Sequence, residues 1–351
     1  MTPVDPIRLA LPSKGHLYEG IVEILKAAGY KVRRASDRQY EATIAGHGRF
    51  HVVFMRPTDI VDQVQQGRCH LGVTGYDVYA ERAQEADQIA VVDRDLGYAG
   101  CRLVVAVPES WIDVAHVADL AELAAEFRNK GRTFRVSTKY PNLARDHFRK
   151  WGIYHYQMID SDGALELHPS LGIADVIVDL TSSGITLKDN RLREIDGGTV
   201  VESAAAMIGF APGLREMIAE GDGGPLALLL DAMDGVRASA GWLHLEVVGG
   251  TASGPEAASA VADHLRAAGA RQVARGEVWD ARGTPAWRVT ALVAASLPPS
   301  LRRPLRALGA SRVVALPTRF VFEGTAVSTF DDLAASLAGG PRSAAAGSAS
   351  L

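Results

Sequence analysis

The stretch that most constrains what this chain can fold into runs from Ala174 to Leu187, ADVIVDLTSSGITL. Val176, Ile177 and Val178 form a short β-branched run bracketed by Asp175 and Asp179. Such a run, bounded by polar residues, predicts a short parallel strand. It breaks at once into Thr181, Ser182, Ser183, Gly184, Ile185 and Thr186, where every residue but the isoleucine is small, hydroxylated or glycine. A loop of that composition lets backbone N–H groups and hydroxyls close on a phosphate with little side chain in the way. The preceding acids suit a divalent cation or sugar hydroxyls. Taken alone, the stretch fits equally well a strand ending in a serine-rich helix cap.

The rest of the chain repeats the same grammar. A strand over Ile7 to Leu11 leads through Pro12-Ser13-Lys14-Gly15-His16 into an amphipathic helix from about Leu17 to Ala28. Strands follow near Tyr40 to Ile44 and Phe50 to Met55, with Gly46 and Gly48 as the turn between them. Arg56-Pro57-Thr58-Asp59 opens a second helix, with the proline in its first turn. Leu71 to Thr74, Arg102 to Val107, Phe134 to Val136 and His155 to Ile159 are further strands, with a short helix at Gly163 to Pro169 and strands at Arg193 to Ile195 and Thr199 to Glu202. Alternating strands and helices with short loops predict parallel α/β sheets in two lobes with a cleft between them. Ligands in such sheets bind at the carboxyl ends of strands, where these glycine- and hydroxyl-rich loops lie.

Beyond Gly221 to Pro225 the composition shifts, and an internal echo appears. His264 to Val273 parallels Pro304 to Val313: each is a helix end, a glycine stop and a strand start, preceded by the strands Trp242 to Val248 and Ala286 to Ala294. The order β-α-β-β-α-β is ferredoxin-like, as in small effector-binding modules. The last residues are glycine, alanine and serine with little else, and predict a disordered tail.

Composition narrows the chemistry. A length of 351 residues allows two or three domains, and a net charge of −4 makes no electrostatic case for nucleic acid or an acidic membrane. Two cysteines, Cys69 and Cys101, imply a reducing compartment without a disulfide framework or zinc cluster. No apolar run approaches the ~20 residues of a membrane span and no leader pattern opens the chain, so a cytoplasmic setting is the expectation. The dinucleotide and Walker glycine patterns, the G-x-S-x-G elbow and histidine pairs with metal spacing are all missing from the sequence. A cleft enzyme that handles phosphorylated ligands without a familiar nucleotide motif fits this profile. A two-lobed cytoplasmic ligand-binding or sensor protein is the alternative.

Five stretches in order carry a family resemblance: LPSKGHL (Leu11 to Leu17), RPTDI followed by GRCHLGVTGYD (Arg56 to Asp77), DLGYAGCRLVVAVP (Asp95 to Pro108), STKYPNLARDHF (Ser137 to Phe148) and the Ala174 to Leu187 stretch. Glu166, in GALELHPSLGIAD, joins them. Together, over roughly Ile7 to Ile208, they resemble the ATP phosphoribosyltransferases, which open histidine biosynthesis, and the C-terminal module resembles the regulatory domain of that family's long form.

The resemblance implies an α/β fold: a two-lobed, periplasmic-binding-protein-like catalytic core with a C-terminal ferredoxin-like (ACT-like) regulatory domain. Residues 1–95 and 185–222 would form the first lobe, 96–184 the second, 223–336 the regulatory domain and 337–351 the tail. It implies transfer of the phosphoribosyl group of phosphoribosyl pyrophosphate to N1 of ATP. An acceptor base other than adenine would leave the same phosphate motifs. It implies Mg²⁺, L-histidine as an inhibitor and a homo-oligomer, a hexamer or dimers at low concentration. By the same analogy Glu166, Asp175, Asp179 and Thr181, Ser182, Ser183, Gly184, Ile185 and Thr186 bind phosphoribosyl pyrophosphate, with Asp175 and Asp179 at the ribose and the metal. Lys14, His16, Asp77, Asp95 and Tyr140 would bind ATP, and Lys14, Arg56, Asp175 and Asp179 would carry catalysis. Arg102 reads as a salt-bridge partner rather than a phosphate ligand, and Cys101 as a small hydrophobe.

Two departures stand out. Gly249-Gly250-Thr251-Ala252-Ser253-Gly254-Pro255 replaces the proline-glycine motif usual in the family's effector site. His16 stands where the family commonly has arginine. Arginine is permanently charged and binds phosphate through two parallel hydrogen bonds; an imidazole does neither at neutral pH. His16→Arg is therefore expected to tighten ATP binding. Calorimetric titration with ATP checks this, and an unchanged or weaker affinity contradicts it.

Overall fold

The computed structural model describes residues 6–36, 38–83, 87–161, 163–250, 254–279, 283–296, 301–321 and 327–338. The expected tail from 339 onward lies outside the described residues. Two compact units emerge: residues 1–229 with 327–351, and residues 230–326.

The first unit holds two sheets. β1 (Ile7–Pro12) leads through α1 (His16–Ala27) to β2 (Val32–Arg33), β3 (Glu41–Ile44) and β4 (Phe50–Met55). Then come α2 (Pro57–Gln65), β5 (Leu71–Gly75), α3 (Tyr76–Arg82) and β6 (Ile89–Asp93). The chain crosses to the second lobe with β7 (Cys101–Pro108), α4 (Asp119–Asn129), β8 (Arg135–Thr138), α5 (Pro141–Lys150) and β9 (Gln157–Asp160). A 3-10 turn (Leu165–Leu167), β10 (Val176–Thr181), α6 (Ile185–Asp189) and β11 (Leu192–Ser203) complete that lobe. β12 (Ala205–Phe210) returns to the first sheet, and α7 (Ala211–Ala219) follows. Among the described residues the sheets run β2-β3-β4-β1-β5-β12-β6 and β11-β7-β10-β8-β9.

Two chain crossings, at 94–100 and at Ala204, join the lobes. They correct two expectations. The sheets are mixed rather than parallel: β1 pairs in parallel with β4 and β5, but β12 runs antiparallel to β5 and β6, and β7 antiparallel to β10. A strand that arrives from the other lobe enters against the local direction, which no local pattern encodes. The lobe boundary also moves. β11 pairs with β7 along its length, with shifts between Glu194 and Thr199, so residues 192–203 belong to the second lobe and not the first. The two strands expected there are one irregular strand.

Each sheet seals a core of β-branched and aromatic side chains. In the second lobe Leu103, Val105, Val176, Val178, Phe134 and Phe148 close one face under α4 and α5. Val104, Ala106, Ile177, Leu165 and Leu187 close the other. Residues of β10 alternate between these faces, so Ile177, Asp179 and Thr181 share one side of the strand.

The second unit contains β13 (Trp242–Gly250), α9 (Gly254–Ala267), β14 (Arg271–Trp279), β15 (Pro285–Ala294), α10 (Arg302–Ala307) and β16 (Ala310–Pro317). Its sheet order, β14-β15-β13-β16 with antiparallel pairs throughout, is ferredoxin-like, as the internal echo predicts. α8 (Gly224–Ser239) runs across the sequence boundary between the units. α11 (Thr329–Ala338) packs against α7 and β6 of the first unit, so the C-terminal domain ends before it rather than at 336. The Arg215 Nε donates to the carbonyl of Leu337 at 3.2 Å, which fastens it there. Leu337 is buried in that helix, not in a disordered tail. No described helix is long and apolar enough to cross a membrane.

One predicted site residue turns out to be a brace. Asp175 precedes β10 and is 9% exposed. It accepts from the backbone N–H of Arg135 at 2.8 Å, from Arg135 Nε at 3.2 Å and from Nη2 at 3.1 Å. That pair ties the starts of β8 and β10 together. Thr181 lies six residues on, about 20 Å along the strand. Asp175 therefore cannot reach a ligand at the loop. Removing one member of a buried, hydrogen-bonded pair strands the other. Asp175→Ala is expected to destabilise the first unit by roughly 3 kcal/mol, the low end of that range because a third of the Arg135 side chain keeps water. Urea unfolding checks the loss, and phosphate-ligand affinity of the folded variant should not move.

Candidate functional site

The site is built where the expected loops meet strand ends. Gly184 adopts φ +73°, a left-handed conformation that glycine takes without strain, and so turns the chain from β10 into α6. Its N–H donates to Thr181 Oγ1 at 3.0 Å, and the Ile185 N–H reaches Ser183 Oγ at 3.5 Å. Ser182, Ser183, Ile185 and Thr186 are exposed around this turn, while Thr181 is buried at its root. The predicted cup is thus present as an exposed, hydroxyl-lined turn, with the Gly184 and Ile185 amides held by its own side chains.

Asp179 stands on the same strand face, two residues before Thr181. Burial raises its carboxyl above the ordinary aspartate value; the Leu180 N–H and the Lys139 charge act against this, and the Glu166 charge adds to it. Glu166 rides on the 3-10 turn, which starts from Ala164 in a left-handed conformation at φ +49°, an uncommon setting for a residue with a Cβ. The strand end therefore collects two carboxylates and a lysine. Lys139 was not among the expected site residues. Its signal was available, since it follows a strand in STKYP as Lys14 follows one in PSKGH.

Two other expected residues meet each other instead of open space. Tyr140 Oη donates to Asp77 Oδ2 at 2.6 Å, and Ser203 Oγ donates to Asp77 Oδ1 at 2.6 Å. Ser203 Oγ in turn accepts from the Asp77 N–H at 2.9 Å. Asp77 opens α3 in the first lobe; Tyr140 precedes α5 and Ser203 ends β11 in the second. Burial and the neighbouring Asp77 carboxylate push the Tyr140 hydroxyl far above its ordinary pKa, so it stays a donor. Beside this knot, Glu81 accepts from the N–H groups of Asn142 and Leu143, both at 2.9 Å. A first-lobe carboxylate thus caps a second-lobe helix. Burial raises the Glu81 carboxyl, opposed by those two amides. Glu81 carries no sequence signal of this role, because its partners are 61 and 62 residues away.

The remaining expected residues sit at first-lobe strand ends and in the crossing. Lys14 and His16 are exposed beyond β1, and Arg56 is exposed beyond β4. The His16 ring meets Tyr98 edge-on at 6.2 Å between centroids, and Tyr98 Oη donates to the Leu17 carbonyl at 2.9 Å. Asp95 holds the crossing loop by accepting from the Gly97 N–H at 2.8 Å. A cleft of about 650 Å³ brings Asp95, Tyr98, Arg102 and Ser182 to one wall. A second, of about 620 Å³, lies among Thr58, Glu81, Arg82, Lys139 and Asn142. Arg102 is the salt-bridge partner the sequence suggests, paired with Glu194. Cys101 is half-buried with its thiol raised by burial, as befits a small apolar residue.

Comparisons with known proteins bear on the family of the chain. The family model described as HisG, ATP phosphoribosyltransferase, matches residues 56–218. The ATP phosphoribosyltransferase of Brucella suis is 41% identical over 205 residues, covering 58% of this chain and 89% of that protein. That of Bradyrhizobium sp. is 40% identical over 205 residues, covering 58% of this chain and 63% of its own length. The ATP phosphoribosyl transferase (HisG:HisZ) complex from Thermotoga maritima aligns at a TM-score of 0.47 and 25% identity, over 65% of this chain and 98% of that one. With the ordered motifs seated at the strand ends and a relative matched over nearly its whole length, the chain belongs to the ATP phosphoribosyltransferase family.

Proposed function

We propose how this chain carries out the reaction of its family, transfer of the phosphoribosyl group of phosphoribosyl pyrophosphate to N1 of ATP with release of pyrophosphate, the first step of L-histidine biosynthesis. The observation that carries the reading is the turn Thr181–Thr186 at the carboxyl end of β10, with Asp179 one step below it. The turn takes the 5-phosphate through its hydroxyls and amides. Asp179 and Glu166 face the ribose. Lys14 and Arg56 supply positive charge and His16 a ring hydrogen-bond donor from the first lobe, for the phosphates of ATP and the pyrophosphate. Asp95 serves the nucleoside end. Asp77 and Tyr140 support that end indirectly, by fixing the lobes, because their polar atoms are spent on each other and on Ser203.

The reacting ribose carbon gains positive character as pyrophosphate departs. A fixed carboxylate beside it stabilises that charge, and alignment of the two substrates supplies much of the remaining acceleration. Asp179 and Glu166 would hold a Mg²⁺ ion carried on the phosphates of the substrate, which would offset the charge of the leaving group. The described residues contain no cluster of three or more His, Cys, Asp or Glu placed to hold a metal. This suits an ion carried mainly by phosphate oxygens and water, with one or two carboxylates such as Asp179 and Glu166. Asp175 is not among them.

The ferredoxin-like domain supports L-histidine as an effector, although residues 251–253 of the expected effector stretch lie outside the described residues. A cytoplasmic setting and a homo-hexamer come from the same family resemblance.

Mixing the protein with ATP, phosphoribosyl pyrophosphate and Mg²⁺ and following the ultraviolet absorbance of the adduct tests the reaction; replacing ATP by other bases tests the acceptor. Asp179→Asn is expected to lower kcat by about 10²-fold or more, the usual size of one lost electrostatic stabiliser. Burial raises the Asp179 carboxyl, so its ionised form is lost on acidification above the ordinary aspartate value near 3.9. Activity should therefore fall on the acid side at a midpoint above that value, and the pH profile of Asp179→Asn should lack this limb. For the effector, L-histidine at millimolar concentration should inhibit the wild-type enzyme, and no inhibition there would reject feedback control.

A further inference from the structure

Arg102 and Glu194 have no role in the scheme above. Arg102 Nη1 donates to Glu194 Oε2 at 2.7 Å and Nη2 to Oε1 at 3.1 Å, a two-pronged pair. Both side chains keep roughly a third of their surface in water, at 39% and 31%. β7 and β10 are antiparallel, with Arg102 directly opposite Thr181. Opposed residues of such a pair share a face of the sheet. The arginine therefore stands on the face where Thr181 roots the turn. Its partner lies there too: Glu194 Oε1 is 3.6 Å from the point a Cβ on Gly184 would occupy. Arg102 also shares the 650 Å³ cleft with Ser182 of the turn.

The turn itself brings no cation, since Thr181–Thr186 contains neither lysine nor arginine. From the turn itself a doubly charged phosphate would meet only hydroxyls and amides, with the Glu194 carboxylate behind Gly184. A guanidinium matches phosphate oxygens with the same two-pronged geometry it now offers Glu194. We propose that Arg102 is the cation of the phosphate turn and that Glu194 is its resident counter-ion, exchanged for the phosphate of the sugar when substrate binds. The inference rests on the reading of the turn as a 5-phosphate site.

Counter-ion exchange and simple bracing predict opposite signs. Under exchange, neutralising Glu194 removes a competitor and leaves a less compensated cation, so phosphate binds more tightly. Under bracing, the same change loosens the turn and binding weakens. The test is calorimetric titration of the full chain with ribose 5-phosphate and, separately, with ATP. Glu194→Gln, which keeps the shape and one hydrogen bond, should tighten ribose 5-phosphate about fivefold or more, the size of a modest charge interaction. Arg102→Met should weaken it about tenfold or more, the loss of a charge-assisted hydrogen-bond pair, and Arg102→Lys by less. ATP affinity should stay within about twofold for all three, because the effect is confined to one phosphate. Weaker or unchanged ribose 5-phosphate binding in Glu194→Gln overturns the exchange. So does Arg102→Met with wild-type affinity. If Arg102→Met does not fold, Arg102→Lys and Glu194→Gln decide alone. Wild-type protein that binds ATP but no ribose 5-phosphate removes the 5-phosphate reading itself, a different failure.

Discussion

The buried carboxylate of Asp77 is the interaction on which the arrangement of the catalytic unit depends. It is 5% exposed and takes hydrogen bonds of 2.6 Å from Tyr140 and Ser203. A carboxylate removed from water is tolerated only when its lone pairs are filled. Here the partners come from the other lobe, so satisfying the charge requires the lobes to meet at this spot. Separating them would strand Asp77, and would also uncap α5 by withdrawing Glu81. Cavities and strand-end loops on either side inherit their spacing from that requirement. Two residues that read as nucleotide ligands, Asp77 and Tyr140, thus bond each other across the lobes.

On the proposed reading, the reaction asks for opposite things of the one strand end of β10. The turn after β10 must admit a polyanion, and the ring carbon above Asp179 must be allowed to turn cationic. A fixed charge that helps one step can hinder the other. The chain separates them by placement: the hydroxylated turn is neutral, Asp179 sits two residues down the strand with the Glu166 charge acting on it from the 3-10 turn, and Lys139 moderates Asp179 from β8's end. Positive charge is kept on neighbouring elements, at Lys14 and Arg56 of the first lobe and at Arg102 on β7. Charge so distributed can be brought to bear on substrate without burying an unpaired ion in the empty turn.

Much of this was legible in the sequence. Strand-loop-helix units, the hydroxylated turn after β10, the Arg102 pairing and the ferredoxin-like echo are local patterns, and local patterns survive folding. Crossings between lobes are not local. β11 reads as two strands because its pairing with β7 is interrupted, and nothing in Leu192–Ser203 says which sheet it joins. α11 resembles a continuation of the C-terminal module, yet its buried Leu333 and Leu337 face α7 and β6. Glu81 and Glu194 were invisible for the same reason: their partners are 61 to 92 residues away, and a lone glutamate on a helix or strand carries no mark of its target.

The two aspartates of ADVIVD show what a motif conveys and what it hides. They are four residues apart and chemically identical, and the motif treats them as a pair. A strand advances about 3.3 Å per residue, so that spacing is about 13 Å, longer than any one sugar-phosphate contact. Asp175, at the start of β10, is consumed by Arg135 and ties the sheet. Asp179, near the end, accepts from the Leu180 N–H and, among the described residues, from no other donor. Parallel strands of an α/β sheet place stability at their starts and chemistry at their ends. A short acidic motif that spans a whole strand must therefore divide its labour between the two.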